Sequence, residues 1–234
     1  FDSVGNLTKM QLVPSEIHTP LKACSNMSLT KKQAARIVIH PPSQFAMCVI
    51  AKNACSQWFR VLSQVVFNNE VPKGFMKYFL PRVTNEKYGG IAGIERIFAN
   101  PLATRVVIVR DPLARFASAY LDKCFSYSCT NPYCIGRKRN GNSGKRVSFR
   151  SVLDHVLQDS TNVAKIDVHW KLQTEYCGLK QNLHRYTIIG LMSKNTLSQD
   201  ATCIMEQAGL SHYNVQIPRR ASKNVTGSHI DGSL

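Results

Sequence analysis

The sequence lacks three patterns that would each assign a class of protein at once. No apolar run reaches the roughly 18 residues that a membrane-spanning helix needs. A membrane anchor, if the protein has one, lies outside this chain, which opens on Phe1 and leads us to expect missing upstream sequence. No Cys-x-x-Cys pair occurs, which argues against a zinc knuckle. No Gly-x-x-x-x-Gly-Lys-Ser/Thr element occurs, which excludes a Walker A nucleotide loop.

Acidic residues are scarce as well. The 234 residues include 14 Asp and Glu against 30 Lys and Arg, a formal net charge of +16. This excess predicts a polyanionic partner, whether nucleic acid, acidic glycan, anionic membrane or phosphorylated cofactor, and charge alone does not choose among these. The hydrophobic fraction of 44% is sufficient for the core of one large domain.

Cysteines and glycosylation sequons point to the secretory pathway. Beside the eight cysteines stand three Asn-x-Ser/Thr sequons, at Asn6, Asn26 and Asn224. Together they favour a glycoprotein with disulfides. Disulfides are also favoured over metal for three cysteines that recur at five-residue steps, Cys124, Cys129 and Cys134. The pairing of the cysteines cannot be deduced from the sequence.

A strand, a short polar loop and a helix are predicted in succession over residues 45–67. Residues 45–50 are nearly all apolar, which is typical of a buried strand, and apolar residues recur at helical spacing from Gln57 onward. Ser56 stands where an N-cap is expected. This geometry aims backbone N–H groups at one point, and Lys52 in the loop suits it for a phosphate or sulfate group. The alternative is an ordinary connection between strand and helix.

A second strand and helix are predicted over residues 104–124. The β-branched run of residues 106–109 indicates a buried parallel strand, and Asp111 and Pro112 suit the N-cap and the first position of the helix. The predicted buried face of this helix comprises Leu113, Phe116, Ala117, Tyr120 and Leu121.

Another face of the same helix is polar and carries Arg115, Ser118 and Asp122. Arg110 stands at the carboxyl end of the strand, where open α/β sheets bind their ligands, so Arg110 and Ser118 could meet one anion. The alternative is that Arg115 and Asp122 are merely solvated and that Arg110 pairs with Asp111.

Three further stretches carry weaker indications. Core packing is favoured over an aromatic binding platform for Phe75, Met76, Tyr78, Phe79 and Leu80. The glycines of residues 89–93 predict a turn into a helix near residues 94–98, and Ser148 is predicted to cap an amphipathic helix. Residues 136–146 hold five cations, which indicates either a solvated loop or a clamp for an anionic polysaccharide.

The two long blocks resemble the signatures of the Golgi carbohydrate sulfotransferases, the membrane-anchored group that sulfates chondroitin, dermatan and related glycans. The first signature, CxxPKxACxNWxRVL, compares with CVIAKNACSQWFRVL at residues 48–62. The second, VRDPxxRxxSAYxxK, compares with VRDPLARFASAYLDK at residues 109–123. A weaker likeness continues through His169, Trp170 and Cys177, and the whole covers roughly residues 45–227 in the family's order.

The resemblance implies a P-loop-like α/β sulfotransferase fold, with a central parallel sheet flanked by helices, and the donor 3′-phosphoadenosine 5′-phosphosulfate (PAPS) without a metal. In the family the first loop holds the 5′-phosphosulfate, which here implies Lys52, Asn53, Ala54, Cys55, Ser56 and Gln57. The second block holds the 3′-phosphate, which implies Arg110, Arg115 and Ser118. Lys52 would counter charge on the leaving phosphate, because sulfuryl transfer needs in-line positioning and stabilisation of spread negative charge.

The general base is where this chain departs most from the family. Many relatives carry a histidine before the second block, but no histidine lies between His40 and His155. His169 is the first candidate instead, because Asp167 and Trp170 set an acid and an aromatic sugar-stacking surface beside it. The alternatives left open are a structural role for His169 and a base at Glu86 or Lys87.

We predict a lead-in segment at residues 1–36 and a sulfotransferase domain at residues 37–234, with the family's C-terminal helix missing after Leu234. In relatives the region that matches Lys223 lies near the nucleotide, which implies a donor contact there.

The function that follows from the resemblance is transfer of a sulfuryl group from PAPS to a hydroxyl group of an acidic glycan such as chondroitin or dermatan. The expected location is the Golgi lumen, as a type II membrane protein if an anchor exists upstream, and nucleic acid is not an expected partner. Two alternatives stay open: a glycan-binding relative that has lost its base, and a nucleotide-dependent kinase, which would need a Walker A loop and a carboxylate for Mg²⁺.

Overall fold

Within the residues that the structure describes, the chain folds around a five-stranded sheet with parallel strands at its centre. The computed structural model describes residues 11–12, 29–125, 133–135, 147–158, 167–193 and 195–213. The strands are β1 (Gln11–Leu12), β2 (Ile37–His40), β3 (Phe45–Cys48), β4 (Thr104–Val109) and β5 (Ile188–Leu191). Their order across the sheet is β1-β5-β4-β3-β2.

Strands β3, β4 and β5 run parallel, and their direction defines two unlike edges of the sheet. Met47 of β3 pairs with Val106 of β4, which pairs with Ile188 of β5. The outer strands β2 and β1 run antiparallel to their neighbours. The carboxyl ends of the three parallel strands therefore share one edge, and Gln44 and Thr104, joined by a backbone hydrogen bond of 2.8 Å, mark the opposite edge.

Helices connect the parallel strands, as crossover connections require. The α-helices are α1 (Lys31–Ala34), α2 (Cys55–Val66), α3 (Leu80–Tyr88), α4 (Gly90–Ala99), α5 (Pro112–Tyr120), α6 (Phe149–Gln158), α7 (Leu179–Asn182) and α8 (Leu197–Gln207). A π-helical turn, Leu121–Phe125, extends α5. As predicted, Asp111 caps α5 and the Ser148 hydroxyl accepts from the N–H of Ser151 in α6. None of the helices in the described ranges is long and apolar enough to span a membrane.

Each face of the sheet is buried under its own hydrophobic cluster. The side chains of β3 alternate, so that Phe45 and Met47 pack with α2 and α8 on one face. Ala46 and Cys48 pack with α4 and α7 on the other. Because successive residues of a strand point to opposite faces, burial of all four requires cover on both sides. The predicted fold class, a central sheet that is mostly parallel and flanked by helices, is confirmed.

The structure corrects the predicted limits and faces of two elements. Strand β3 ends at Cys48 rather than at Ile50, because the chain turns into a tight loop after that point. Leu113 and Leu121 of the predicted apolar face of α5 are 64% and 50% exposed. Arg115 and Ala119 are the buried residues of that helix instead.

The aromatic stretch of residues 75–80 does not all enter the core. Leu80 is fully buried, but Met76, Tyr78 and Phe79 are exposed, so the prediction of core packing was wrong for these three. The connection from α2 to α3 crosses the surface, and within it Phe75 is half-buried against the core.

Two disulfides are formed among the described residues, as the cysteine content predicted. Cys48 of β3 is joined to Cys177, at a Cα–Cα distance of 6.0 Å, and Cys124 is joined to Cys134. The predicted features at Cys129, at residues 136–146, at Lys223 and at the three sequons lie outside the described residues. The division into a lead-in at residues 1–36 and a domain from residue 37 onward stays a prediction.

Candidate functional site

The loop between β3 and α2 turns sharply at the carboxyl edge of the sheet. Lys52 and Ala54 have φ angles of 69° and 58°, in the left-handed region that L residues rarely adopt. Ala54 is the N-cap residue of α2, so the predicted cap at Ser56 was wrong. Ser56 lies in the first helical turn, where its hydroxyl shares a hydrogen bond of 3.0 Å with the Tyr78 hydroxyl. This turn contains no glycine, and so the sequence did not locate its left-handed residues or the N-cap at Ala54.

The amino terminus of α2 is open to an anion. No side chain caps it. The N–H groups of Gln57 and Trp58 donate to the Ala54 carbonyl oxygen at 2.8 and 3.1 Å, and within the described residues those of Cys55 and Ser56 have no backbone partner. Free N–H groups and the helix dipole both favour negative charge at this point.

Two arginines of the second predicted block hold this loop. Arg110, which follows β4, donates from Nη1 to the Lys52 carbonyl oxygen at 2.9 Å. Arg115 is only 6% exposed and donates from Nε to the Ala51 carbonyl oxygen at 3.0 Å. Burial lowers the pKa of both guanidinium groups, and the nearby Asp111 carboxylate opposes the shift at Arg110. The interpretation of Arg115 as a solvated residue was therefore wrong, and the loops after β3 and β4 are in direct contact.

The side chain of Lys52 is held by an ion pair. Its Nζ lies 3.0 Å from Oδ2 of Asp122, and Nζ of Lys123 lies 3.4 Å from the same oxygen. Burial raises the pKa of Asp122, but the hydrogen bonds and charges of the two lysines outweigh it, so the pKa lies below its usual value. Since Arg115 and Asp122 both contact this loop, the polar face that also carries the partly buried Ser118 is turned towards it.

Gln173, which the sequence did not single out, joins the two loops. Its Oε1 accepts hydrogen bonds from Nδ2 of Asn53 at 2.7 Å and from the backbone N–H of Arg110 at 3.0 Å. Its Nε2 donates to the Arg110 carbonyl oxygen at 2.7 Å. Asn53 is itself buried and donates to the Ile108 carbonyl oxygen at 2.8 Å. Nothing in the local sequence distinguishes Gln173 from a surface glutamine.

Asp167 and His169 are in contact. Asp167 Oδ1 accepts from the backbone N–H of His169 at 2.7 Å and lies against its ring Nδ1, which leaves Nε2 as the nitrogen that can face a substrate. Burial raises the pKa of Asp167, but the hydrogen bonds of His169 and the charge of Lys123 lower it below its usual value. Lys123 also contacts Asp122, so a chain of charges links His169 to the partner of Lys52.

The segment of residues 167–178 is fixed beside the loop after β3. Gln173 bonds to Asn53, the Tyr176 hydroxyl lies 3.4 Å from Nη2 of Arg115, and the disulfide of Cys177 reaches β3. The Tyr176 hydroxyl also donates to the Val168 carbonyl oxygen, next to His169.

The sequence led us to expect a sugar-stacking surface at Trp170, but Trp170 does not offer one. It is 5% exposed, donates from Nε1 to the Tyr133 carbonyl oxygen at 2.9 Å and packs against Phe116 with ring centroids 5.6 Å apart. A third hydrophobic cluster, formed with α5 and α6, buries it. Because the large apolar ring of Trp170 packs inside this cluster, its place next to His169 in the sequence does not make it available to a sugar.

The two other candidate bases lie away from this edge. Lys87 lines an open depression of about 590 Å³ together with Gln44 and Asn100, which precede β3 and β4. This depression therefore faces the amino ends of the parallel strands, whereas ligands of open α/β sheets bind at the carboxyl ends. Glu86 is exposed and pairs with Arg82 at 2.8 Å.

Residues 35–231 match the sulfotransferase family. The chain belongs to the sulfotransferase family. The loop after β3, the start of α5 and residues 167–178 all lie inside the matched range, and the resemblance seen in the two motifs is confirmed at the level of the family. In the part of the chain that the structure describes, no group of three or more His, Cys, Asp or Glu residues could hold a metal ion.

Among curated proteins, this sulfotransferase-family chain is similar to human carbohydrate sulfotransferase 9. The two are 25% identical over 198 residues, which cover 75% of this chain and 41% of the human protein. The chain thus spans less than half the length of this relative. No solved structure matches the chain.

Proposed function

We propose that this chain transfers a sulfuryl group from PAPS to a hydroxyl group of an acidic glycan. The observation that carries the proposal is the hydrogen bond of Arg110 to the backbone of Lys52, since it joins two cationic loops from adjacent parallel strands. A donor with phosphate groups at both ends needs two such anion sites close together. The family match supports a sulfonate donor, and the carbohydrate sulfotransferase relative supports a glycan acceptor.

The residues present fit such a donor. The uncapped start of α2 and Lys52 would hold the 5′-phosphosulfate, with Asn53, Ala54, Cys55, Ser56 and Gln57 forming the walls of this site. Arg110 and Ser118 would hold the 3′-phosphate. We assign Arg115 a positioning role, because its guanidinium group is buried against two protein acceptors. PAPS supplies the sulfuryl group and departs as adenosine 3′,5′-bisphosphate.

Proton transfer falls to His169 in this proposal. Its Nε2 accepts the proton of the acceptor hydroxyl while the acceptor oxygen bonds to sulfur and the bond from sulfur to the 5′-phosphate oxygen breaks. Asp167 then stabilises the imidazolium cation through Nδ1. Lys52, released from Asp122, and the N–H groups of α2 stabilise the negative charge that gathers on the phosphate oxygen.

The net charge of +16 supports an anionic acceptor, and chondroitin or dermatan is the acceptor class that we propose. The two disulfides support maturation in the secretory pathway, and we propose action in the Golgi lumen, with an anchor of the type II topology upstream.

Two measurements test this function. Adenosine 3′,5′-bisphosphate should raise the melting temperature of the protein, whereas magnesium ADP should not, and labelled sulfate should pass from PAPS to one or more glycans of a panel. Lys52→Ala and His169→Gln should each lower kcat by about a hundredfold or more. Lys87→Ala, at the other edge of the sheet, is the matched control.

The outcomes separate the alternatives. A melting temperature that responds only to magnesium ADP would favour the kinase. Binding of the bisphosphate without turnover on any glycan would favour a glycan-binding relative. An unchanged kcat in His169→Gln would exclude His169 as the base.

A further inference from the structure

The connection from α2 to α3 exposes a group of large side chains beside the proposed donor site. Met76, Tyr78 and Phe79 are 60%, 58% and 46% exposed. Isolated exposed apolar residues are ordinary, but three exposed residues within four positions of one connection need an explanation. We call these three residues the aromatic patch.

Contacts with the hydrophobic core fix the position of the aromatic patch. Phe75 packs against Phe67 with ring centroids 4.8 Å apart, and Leu80 is fully buried. The Tyr78 and Phe59 rings form an edge-to-face pair with centroids 5.8 Å apart. Core contacts therefore bracket the patch on both sides, and its exposure is a feature of the packed fold.

A hydrogen bond fixes the patch next to the amino terminus of α2. The Tyr78 hydroxyl lies 3.0 Å from the Ser56 hydroxyl, in the helical turn that is open to an anion. The Tyr78 hydroxyl, at one end of a ring that is 58% exposed, thus lies beside the place proposed for the phosphosulfate.

One cation lies over the Tyr78 ring, and two more are exposed on the neighbouring segments. Nζ of Lys77 lies 5.5 Å from the ring centroid. Arg60 is exposed one helical turn after Ser56, on the same face of α2, and Lys73 is exposed in the connection itself. Glu70 is the one acidic residue between positions 68 and 79. The surface next to the patch therefore carries an excess of positive charge.

We infer that the aromatic patch is the acceptor subsite and that its occupant is one sugar ring of an acidic glycan. The ring stacks its C–H face on Tyr78, and its carboxylate lies near Lys77 and Arg60. A hydroxyl of that sugar, or of its neighbour in the chain, then faces the start of α2. This inference rests on the proposed function and names the subsite that binds the acceptor.

The chemistry of the patch favours a sugar over a lipid surface or a protein helix. An aromatic face with a hydroxyl at one end and cations at its side matches a ring that has apolar faces, polar edges and one negative charge. The unbranched side chain of Met76 can adapt to the irregular outline of such a ring.

The test uses unsulfated chondroitin hexasaccharide, with neutral chitohexaose as the uncharged comparison. Tyr78→Ala should raise both the KM and the Kd for the hexasaccharide about tenfold, while Tyr78→Phe, which keeps the ring, stays within about threefold of the wild type. Lys77→Glu should weaken binding of the hexasaccharide and leave binding of chitohexaose unchanged. Leu102→Ala, which alters a side chain that is 87% exposed near the other edge of the sheet, is the control.

Binding of adenosine 3′,5′-bisphosphate, measured by calorimetry on the same variants, distinguishes the two proposals. Unchanged bisphosphate binding with weakened hexasaccharide binding in Tyr78→Ala supports the subsite. Equal hexasaccharide binding in Tyr78→Ala and the wild type overturns it, as does a wild type that does not bind the hexasaccharide at all. A wild type that binds the hexasaccharide but not the bisphosphate contradicts the proposed function and leaves the glycan subsite intact.

Discussion

Arg115 donates from Nε to the carbonyl oxygen of Ala51 at 3.0 Å, across 64 positions of sequence. The same guanidinium group lies 3.4 Å from the Tyr176 hydroxyl, which brings α5, the loop after β3 and the segment around His169 to one buried cation. The geometry of the candidate site therefore depends on a residue that need not touch a ligand.

Replacement of Arg115 should lower the free energy of unfolding rather than remove a catalytic group. Arg115→Ala leaves the Ala51 carbonyl oxygen and the Tyr176 hydroxyl without their donor, and we expect a loss of about 3 kcal/mol in the free energy of unfolding. Arg115→Lys should lie between this variant and the wild type, because an ammonium group cannot span both acceptors. Urea unfolding measures the effect. Arg82→Ala, at an exposed pair, should hardly move the midpoint, and an equally mild Arg115→Ala would contradict the prediction.

Gln173 should hold the two loops together through its hydrogen bonds. Gln173→Ala removes three hydrogen bonds of 2.7 to 3.0 Å, and we expect a loss of about 2 kcal/mol in stability and roughly tenfold weaker binding of adenosine 3′,5′-bisphosphate. Calorimetric titration and urea unfolding give the two values. The exposed Gln181 provides the control, Gln181→Ala, which should change neither. Unaltered bisphosphate binding in Gln173→Ala would show that the loops hold their positions without it.

The two disulfides should differ in their contribution to stability. The Cys48–Cys177 bond spans 129 positions of sequence and the Cys124–Cys134 bond spans 10. In the chain-entropy account these loops correspond to about 5 and about 3 kcal/mol of stabilisation. The double variants Cys48→Ala/Cys177→Ala and Cys124→Ala/Cys134→Ala, compared by urea unfolding, should rank in that order. The reverse order would mean that the short loop has a structural role beyond chain entropy.

His40 should make the stability of the fold depend on pH. Burial, and then the charge of Lys87, lowers the pKa of His40, whose Nδ1 shares a hydrogen bond of 2.7 Å with Ser43. The unfolded chain then binds the proton more readily, so this stabilisation is present above pH about 6.5 and is lost as pH falls through the lowered pKa.

Unfolding midpoints recorded from pH 7.5 down to pH 5 test this dependence. His40→Gln should flatten the profile in that range, and Lys87→Ala should flatten it in part. The matched variant at an exposed histidine, His184→Gln, should keep the slope of the wild type. A slope in His40→Gln as steep as that of the wild type would assign the dependence to another group.

The elements that hold the site follow from local sequence chemistry. Asp111 and Pro112 begin α5 because a carboxylate and a fixed φ suit the first positions of a helix. The apolar run before Lys52 carries no polar alternation, which is typical of a buried strand, and Phe45–Cys48 form that strand. The contact between the two loops followed from parallel pairing of their strands.

The parts that the sequence did not reveal depend on contacts between distant positions. Gln173 acquires its importance only when three chain segments meet around it. Ala54 has a left-handed backbone conformation, which the sequence indicates readily only where a glycine stands. The exposure of Tyr78 and the burial of Trp170 are set by which side chains surround them, and hydrophobicity does not distinguish the two cases.

The covalent link from Cys48 to Cys177 ties the strand before Lys52 to the segment that carries His169. Oxidative maturation and catalytic competence should therefore arrive together. Under the proposed function, a newly made chain whose thiols are still reduced would bury its core yet lack activity, and sulfation would begin only after the polypeptide has passed through an oxidising compartment. Preparations made in a reducing cytosol should accordingly be assayed only after reoxidation.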